Sequence, residues 1–505
     1  MFAKLPTEIL LLILDLVGTK NDWLSLARSC RSLYEWMIPM LYTSIDTPCL
    51  CVGSHRALVH TLLLYPELAQ SVRHLKLGKL PYDTDRKVFE LHRHEHYESP
   101  ESIRRLHNAV QNLSHRGWEE TQWIEDLDSG EHRDPWLAVL LYLVPNIETL
   151  ELFWGGTGTR YSEWVLTRAS KQSRPFDSQR AFQSLHTAVI KVLDDEGLGF
   201  KLPRVAPFFR FPSMHTFKGQ LMTDFYLEHN ILPPNSSPIT HLELAQSSGE
   251  TGFIDLIAPC TNLRTFKFTQ QEDDVSMYDY TKHYFRTLAP TELRKALALK
   301  KDTLESMEVS FYRRTSYFGG TYSEDWIGSM ADFRMLRNVH IRAPNFLGIG
   351  HSGDKHNPVP RVPLIEFLPG SLETLWVSDI EPWAESIMMR ELLELVHAVG
   401  EMFPHLRAID VEAEKWQRLD MSETDMDACV ESYPDYLHLL RPEVIQLTEE
   451  LRTVCHERGI EFHVRVTAVE ARFDDYDDTM LFGRYSDTES EDEDNGEDDN
   501  EAGEA

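Results

Sequence analysis

Cysteine is scarce in this chain: there are six among 505 residues, at positions 30, 49, 51, 260, 429 and 455. That is neither the density nor the paired spacing of a secreted disulfide scaffold, and it fits a reducing compartment. Long apolar runs are missing as well. No stretch reaches the ~18 apolar residues that a membrane span needs. Residues 9–17 have the length of a signal-peptide core, but Asp15 interrupts them and Lys4 is the one base ahead of them. A cytoplasmic or nuclear location is the expectation. Basic residues are outnumbered, 50 against 81 acidic, for a formal net charge of −31. An acidic body repels phosphate backbones, which argues against a nucleic-acid partner. Residues 473–505 hold 15 Asp and Glu against one Arg, and from Ser486 onward there are almost no apolar residues, so a disordered acidic tail is expected over residues 474–505. Local catalytic frames are absent too: no G-x-S-x-G, P-loop, HExxH or paired CxxC occurs. The expectation is a non-enzyme without cofactor or metal.

What is present is a large apolar inventory, 42% of residues, enough for an extensive core. Near the start, Leu5-Pro6-Thr7-Glu8-Ile9-Leu10 places a proline in a helix's first turn, and Ile9, Leu10, Ile13, Leu14 and Leu16 follow at helical spacing. Asn21-Asp22 reads as the N-cap of a second helix carrying Leu24, Leu26, Ala27 and Cys30. Leu33, Trp36 and Met37 continue the pattern, and Pro39 is expected to close it before Leu41-Tyr42. Helices this short bury little alone, so a following domain or a partner must cover the apolar stripe.

The run L-P-x-E-I-L-x-x-I-L, followed by L-x-L-A-R-S-C-R-x-L and P-x-L-Y, resembles the F-box over about 40 residues. The resemblance implies docking to the S-phase kinase-associated linker protein and, through it, to a cullin-RING scaffold. By position, Leu5, Pro6, Ile9, Leu10 and Ile13 would meet the linker, and Leu26, Cys30 and Leu33 would form the module's core. Helix-in-groove recognition of this kind removes spaced apolar anchors from water together. The alternative is that these are the first helices of a larger helical domain.

From residue 72 onward an apolar-x-x-apolar-x-apolar triad recurs: Val72/Leu75/Leu77, Ile147/Leu150/Leu152, Ile239/Leu242/Leu244, Leu263/Phe266/Phe268, Leu304/Met307/Val309, Leu336/Val339/Ile341, Leu372/Leu375/Val377 and Leu406/Ile409/Val411. Met214/Phe217 is a partial copy, and Ile460, Phe462, Val464 and Val466 alternate as a last strand. The later copies start 24 to 41 residues apart, looser than the 20–29 of regular leucine-rich repeats. Helix-like runs at 136–144, 253–257, 293–299 and 392–402 precede several of them, and Asp134-Pro135 reads as the N-cap and first residue of one. Units too small to bury both faces must stack into a solenoid with a parallel inner sheet. The resemblance is to leucine-rich-repeat F-box proteins. It departs in one respect: the asparagine that usually follows the third apolar residue is missing, so no ladder of side-chain amides joins the turns and an irregular arc is expected. An ordinary α/β domain with buried strands shares the same pattern.

The fold expected is therefore α/β: an F-box-like module at 1–45, a connecting helix at 46–71, and a repeat domain at 72–470 with insertions at 82–133 and 155–184. The first insertion carries an amphipathic helix through Ile103, Leu106, Val110 and Leu113, while residues 155–184 and 312–325 have the composition of exposed loops. Gly348-Ile-Gly350-His-Ser-Gly353 matches a dinucleotide fingerprint in letters, but Pro358, Pro360 and Pro363 deny it the helix that a pyrophosphate needs. His92, His94 and His96 lack a metal-site frame. Function should then be recruitment: target contacts are expected from side chains alternating with the repeat apolars, at Glu308, His340, Arg342, Trp376 and Asp410.

Overall fold

The computed structural model describes residues 16, 19–49, 52–79, 99–114, 117–129, 133–155, 159–193, 200–224, 232–270, 288–311, 326–348, 360–380, 384–414 and 442–467. Every triad of the sequence becomes a strand. The strands are β1 (Ser44–Cys49), β2 (His74–Lys79), β3 (Thr149–Gly155), β4 (Thr187–Leu193), β5 (Thr216–Gln220), β6 (His241–Ser247), β7 (Thr265–Gln270), β8 (Ser306–Ser310), β9 (Asn338–Arg342), β10 (Thr374–Ser378), β11 (Ala408–Glu414) and β12 (Glu461–Thr467). They form one twelve-stranded sheet in chain order, and every pairing in it is parallel.

Alternation sorts the side chains by face. One register row runs Leu75, Leu150, Ala188, Phe217, Leu242, Phe266, Met307, Val339, Leu375 and Ile409, and all ten are buried. Two residues on, Leu77, Leu152, Ile190, Leu244, Phe268, Val309, Ile341, Val377 and Val411 make a second buried row. Its gap is Gly219, where a Cβ would stand 2.7 Å from Met222 Cγ, so the methionine fills the place of the missing side chain. The first apolar residue of each triad, from Val72 to Leu406, is buried below these rows.

In place of an amide ladder, the backbone joins the units. The carbonyl just before each strand from β2 to β10 accepts two N–H groups of the next: Arg73 O takes those of Glu148 and Thr149, and Glu148 O those of His186 and Thr187. The same fork recurs at His186, His215, Thr240, Arg264, Glu305, Arg337 and Glu373. A loose repeat length is tolerated because this joint lies at the strand entry, where all copies are alike.

Helices cover the core side: α1 (Lys20–Ser29), α2 (Arg31–Thr43), α3 (Val52–Leu64), α4 (Pro66–Ser71), α5 (Pro100–Leu113), α6 (Gly117–Ser129), α7 (Asp134–Leu143), α8 (Arg160–Ser170), α9 (Ile254–Ile257), α10 (Pro290–Leu297), α11 (Ala343–Leu347), α12 (Leu364–Phe367), α13 (Glu385–His397) and α14 (Pro442–Arg458). None among the described residues is long and apolar enough to cross a membrane.

The structure corrects several expectations. The sheet begins at β1, inside what was expected to be a connecting helix, and α3 and α4 fill only its remainder. Pro39 lies inside α2, which runs on to Thr43. The N-cap of α1 is Thr19, whose hydroxyl accepts from Asp22 N at 3.2 Å, so Asn21 and Asp22 are helical. Residues 160–170 form a helix rather than an exposed loop, because Tyr161, Val165, Leu166 and Ala169 fall on one face and are buried. The helix through Leu106, Val110 and Leu113 is present, and a second one follows it in which Trp123 and Leu127 are buried. Residues 312–325 lie outside the described residues.

Asp134 does not cap its own helix either. The N-cap residue of α7 is Arg133, in helical conformation. The Asp134 carboxylate is turned toward α8, accepting from the N–H groups of Tyr161 and Ser162 and from the Ser162 hydroxyl. Burial pushes its pKa up to about 6, against the pull of those three donors. Trp154 Nε1 donates to the same hydroxyl at 3.0 Å.

Gly348 ends α11 at φ +57, in the left-handed region, and a Cβ there would sit 2.4 Å from Trp326 Cδ1. That glycine is thus a helix terminator beneath an indole, not a phosphate cradle. Gly348→Ala should cost about 2–4 kcal/mol through strain and overpacking, as read by urea unfolding. Unchanged stability would show that Trp326 moves aside freely.

Candidate functional site

The residues that alternate with the buried rows form a polar face. Glu308, His340, Trp376 and Asp410 occupy one register row across β8 to β11. That row continues back through Lys267, Glu243, Lys218 and Val189 to Glu151, Lys76 and Asp46, and forward to His463. Arg342 stands two residues further along its strand, on the same side.

Charges in the row are set in alternation. Lys218 meets Glu243 at 2.7 Å and Lys267 meets Glu308 at 2.5 Å. Glu151 is shared by Lys191 at 2.8 Å and Lys76 at 4.0 Å. A second charged row lies at the strand entries, one residue after the first apolar of each triad. There Arg73 pairs with Glu148 at 3.5 Å, and Arg264 with Glu305 at 3.8 Å. Glu373 bridges Arg337 at 3.3 Å and Arg407 at 3.1 Å. Single exposed pairs contribute under about 1 kcal/mol. A row of alternating charge does more for specificity, since a partner must match its sequence of signs.

The face changes character at β9 and β10. His340 stacks on Trp376 with ring centroids 4.1 Å apart and planes 6° from parallel. The guanidinium of Arg465 lies 5.1 Å from the Trp376 centroid, and indole Nε1 donates to Glu412 at 3.0 Å. Asp410 is held by Arg465 at 2.8 Å and His463 at 3.4 Å. His340 in turn reaches Glu308 at 3.6 Å, and its hydrogen bond to Glu308, with that of Lys267, holds the Glu308 carboxyl down to about 2. Arg342 bonds Asp379 and the carbonyl of Phe311. Four of the five expected contact residues are therefore in one row, and all five are organised by their neighbours. Trp376 is half-buried with its indole engaged by His340, Arg465 and Glu412, so it is preorganised rather than mobile. Rigid aromatic anchors lose little entropy on binding.

Sequence reading missed the entry row and the Lys/Glu alternation. Aligning the triads on their first apolar residue shows it: the next position reads Arg73, Glu148, His186, His215, Thr240, Arg264, Glu305, Arg337, Glu373 and Arg407.

At the other end of the chain, Ala27 and Met37 form a small cluster of their own with Trp23, Leu26 and Met40 packed against it. Leu26 is half-buried there and Leu33 is half-buried on α2, whereas Cys30 is exposed at the N-cap position of α2 rather than inside a core. Leu24, Tyr34 and Trp36 are exposed on the same two helices. Leu5, Pro6, Ile9, Leu10 and Ile13 lie outside the described residues, as do His92, His94, His96 and the acidic tail. Two hollows, of about 460 Å³ beside Leu232, Ile254 and Leu299 and about 380 Å³ beside Leu62, Tyr142 and Phe176, lie among the helices and loops away from the polar face.

A parallel sheet in chain order, with one helix-bearing side and one charged side built from stacked units, defines a repeat solenoid. The chain belongs to the leucine-rich repeat domain family, whose model matches residues 51–433. That match takes in β2 to β11 and leaves β1 and β12 beyond its two ends. No curated protein matches the chain. A leucine-rich repeat domain suggests a protein-interaction scaffold.

Proposed function

We propose that this chain is the substrate-recognition subunit of an SCF-type ubiquitin ligase: its N-terminal helices dock to the S-phase kinase-associated linker protein, and the polar face of the repeat sheet holds a target protein. No turnover by the chain is required. It raises the target's effective concentration near a ubiquitin-transferring enzyme borne by the cullin-RING scaffold.

The observation that carries the reading is the pair of helices α1 and α2. They share a small cluster of their own, while α2 also packs Ile38 and Tyr42 on the repeat core, and they leave Leu24, Tyr34 and Trp36 exposed within the stretch whose sequence resembles the F-box. Large apolar residues left exposed on a short helical pair favour a protein partner. For the target, Trp376 among paired charges is the anchor, with Glu308, His340, Arg342 and Asp410 around it.

The test is capture of the full chain by purified linker protein. Leu10→Glu with Ile13→Glu should reduce binding at least ~100-fold, since two charges would enter an apolar groove, while circular dichroism of the repeats stays unchanged. A wild-type chain that the linker does not retain would overturn the ligase reading. It would leave the alternative, a repeat scaffold unconnected to ubiquitin, for which the polar face is equally suited.

A further inference from the structure

We propose that β12 is a docking edge for a second copy of this chain, with the two β12 strands antiparallel about a two-fold axis through His463 and the two sheets joined into one. The inference is independent of the ligase reading.

Glu461 N donates to Arg407 O at 2.9 Å. In a parallel ladder alternate residues serve opposite neighbours, so Glu461, His463, Arg465 and Thr467 direct their backbone groups toward β11. Phe462, Val464 and Val466 direct theirs outward. Among the described residues no strand pairs with β12 on that side. Phe462 and Val464 are only half-buried, unlike their counterparts Ile409 and Val411. An open edge of this length is a template for another strand.

The opposite edge of the sheet is obstructed at two of its outward positions. Ser44 O of β1 accepts Lys20 Nζ at 2.6 Å, and Pro48 has no N–H to offer. Head-to-tail stacking of β12 onto another copy's β1 is thereby blocked. What is left is pairing of like edges, which closes as a two-fold dimer instead of growing into a filament.

The strand sequence Glu461-Phe462-His463-Val464-Arg465 is complementary to itself when reversed. Of the antiparallel registers that satisfy the outward groups, two pair Val464 with an apolar residue of Glu461–Arg465. In one, Val464 faces Val464 of the second copy, which sets His463 against Arg465. In the other, Phe462 faces Val464, and Glu461 falls opposite Arg465 on both sides of the axis. Charge selects the second, because opposite charges directly across a ladder are favourable and like charges are not. On the core side the same register lays Phe462 over Val464 of the other copy and covers both. Within its own chain Glu461 is exposed, while Arg465 already holds Asp410. The second copy thus supplies a counter-charge that no described residue of its own chain gives Glu461.

A single strand pair buries little area, placing the dimer at the weak end of specific association. Sedimentation velocity of the full chain at neutral pH, over about 5–200 µM as suits such an interface, should show a concentration-dependent doubling of mass. Glu461→Arg and Arg465→Glu, each alone, set like charges across the axis twice and should leave monomer. An equimolar mixture of the two restores both opposite pairs and should recover the dimer. Val464→Pro removes one outward N–H without touching the β11 ladder, and should also give folded monomer by circular dichroism. A wild-type chain that stays monomeric at the highest concentration overturns the proposal. So does a dimer that survives Val464→Pro, or a mixture that does not re-form it.

Discussion

Asp224→Ala should lower the unfolding free energy by about 3–5 kcal/mol, because it strips several buried donors of one shared acceptor. The carboxylate, 1% exposed, accepts from the N–H groups of Glu250, Thr251 and Phe253 and from the Thr251 hydroxyl. It holds a segment that is strained without it: Gly252 and Phe253 both have positive φ, +72 and +56. That turn sets the start of α9 between β6 and β7. Gly249 belongs to the same arrangement, since a Cβ there would lie 2.0 Å from Asp224 Oδ1. Gly249→Ala alone should therefore cost about 2–4 kcal/mol as an overpacked site. In the Asp224→Ala background the obstructing oxygen is gone and the second cost should nearly vanish, a coupling of about 2 kcal/mol. Additive losses in chemical denaturation would mean that the glycine matters for some other reason.

Asp134 and Asp224 illustrate what the sequence shows and what it conceals. The triads were legible because each strand presents apolar residues to one core at fixed spacing, whatever the length between copies. Strands that dilute the signal escaped: β1 offers Ile45 with Thr47 in the third place, and β4 has Ala188 in the middle. The polar face was legible by alternation, and four of its five expected contact residues share a row. Their pairing was not, because Glu308 with Lys267 or Asp410 with Arg465 depends on which strands are neighbours and in what register. Asp134 and Asp224 cap segments about 27 residues away, in the next unit. Glu391 does the same in reverse, accepting from Leu364 N at 2.8 Å to start α12. Acids at such positions read locally as surface or self-capping residues. They are the polar joints between units on the helical side, as the forked carbonyls are on the sheet.

Acidification should destabilise the chain through two histidines of α3, and replacing them should reverse the sign of the effect. His55 and His60 are buried, 0% and 2% exposed. Burial, with Arg133 beside His55 and Arg56 beside His60, holds them down to about 3 and about 4. In the unfolded chain both titrate near the ordinary 6.5, so below that pH the unfolded state binds protons that the folded state refuses. Their stabilising contribution is complete above pH ~6.5 and drains away as the pH falls toward 4 and then 3. Two groups give a slope of about 2.7 kcal/mol per pH unit. Asp134 works the other way. Its carboxyl, raised to about 6, takes up a proton in the folded state first, so stability is gained as pH falls from 6 toward 3.8. Glu163 and Glu391, also raised by burial, act in the same direction. Two histidines outweigh Asp134 by about one group, leaving the wild type to lose roughly 1–3 kcal/mol between pH 6 and 4. With His55→Leu and His60→Leu combined, the carboxyls remain: Asp134, Glu163 and Glu391 gain on acidification and outweigh Glu308, whose lowered value costs stability only as the pH nears 4, so stability should rise over the same interval. Urea midpoints at stepped pH values read both curves. A double variant that still weakens on acidification would place the acid-sensitive groups outside α3.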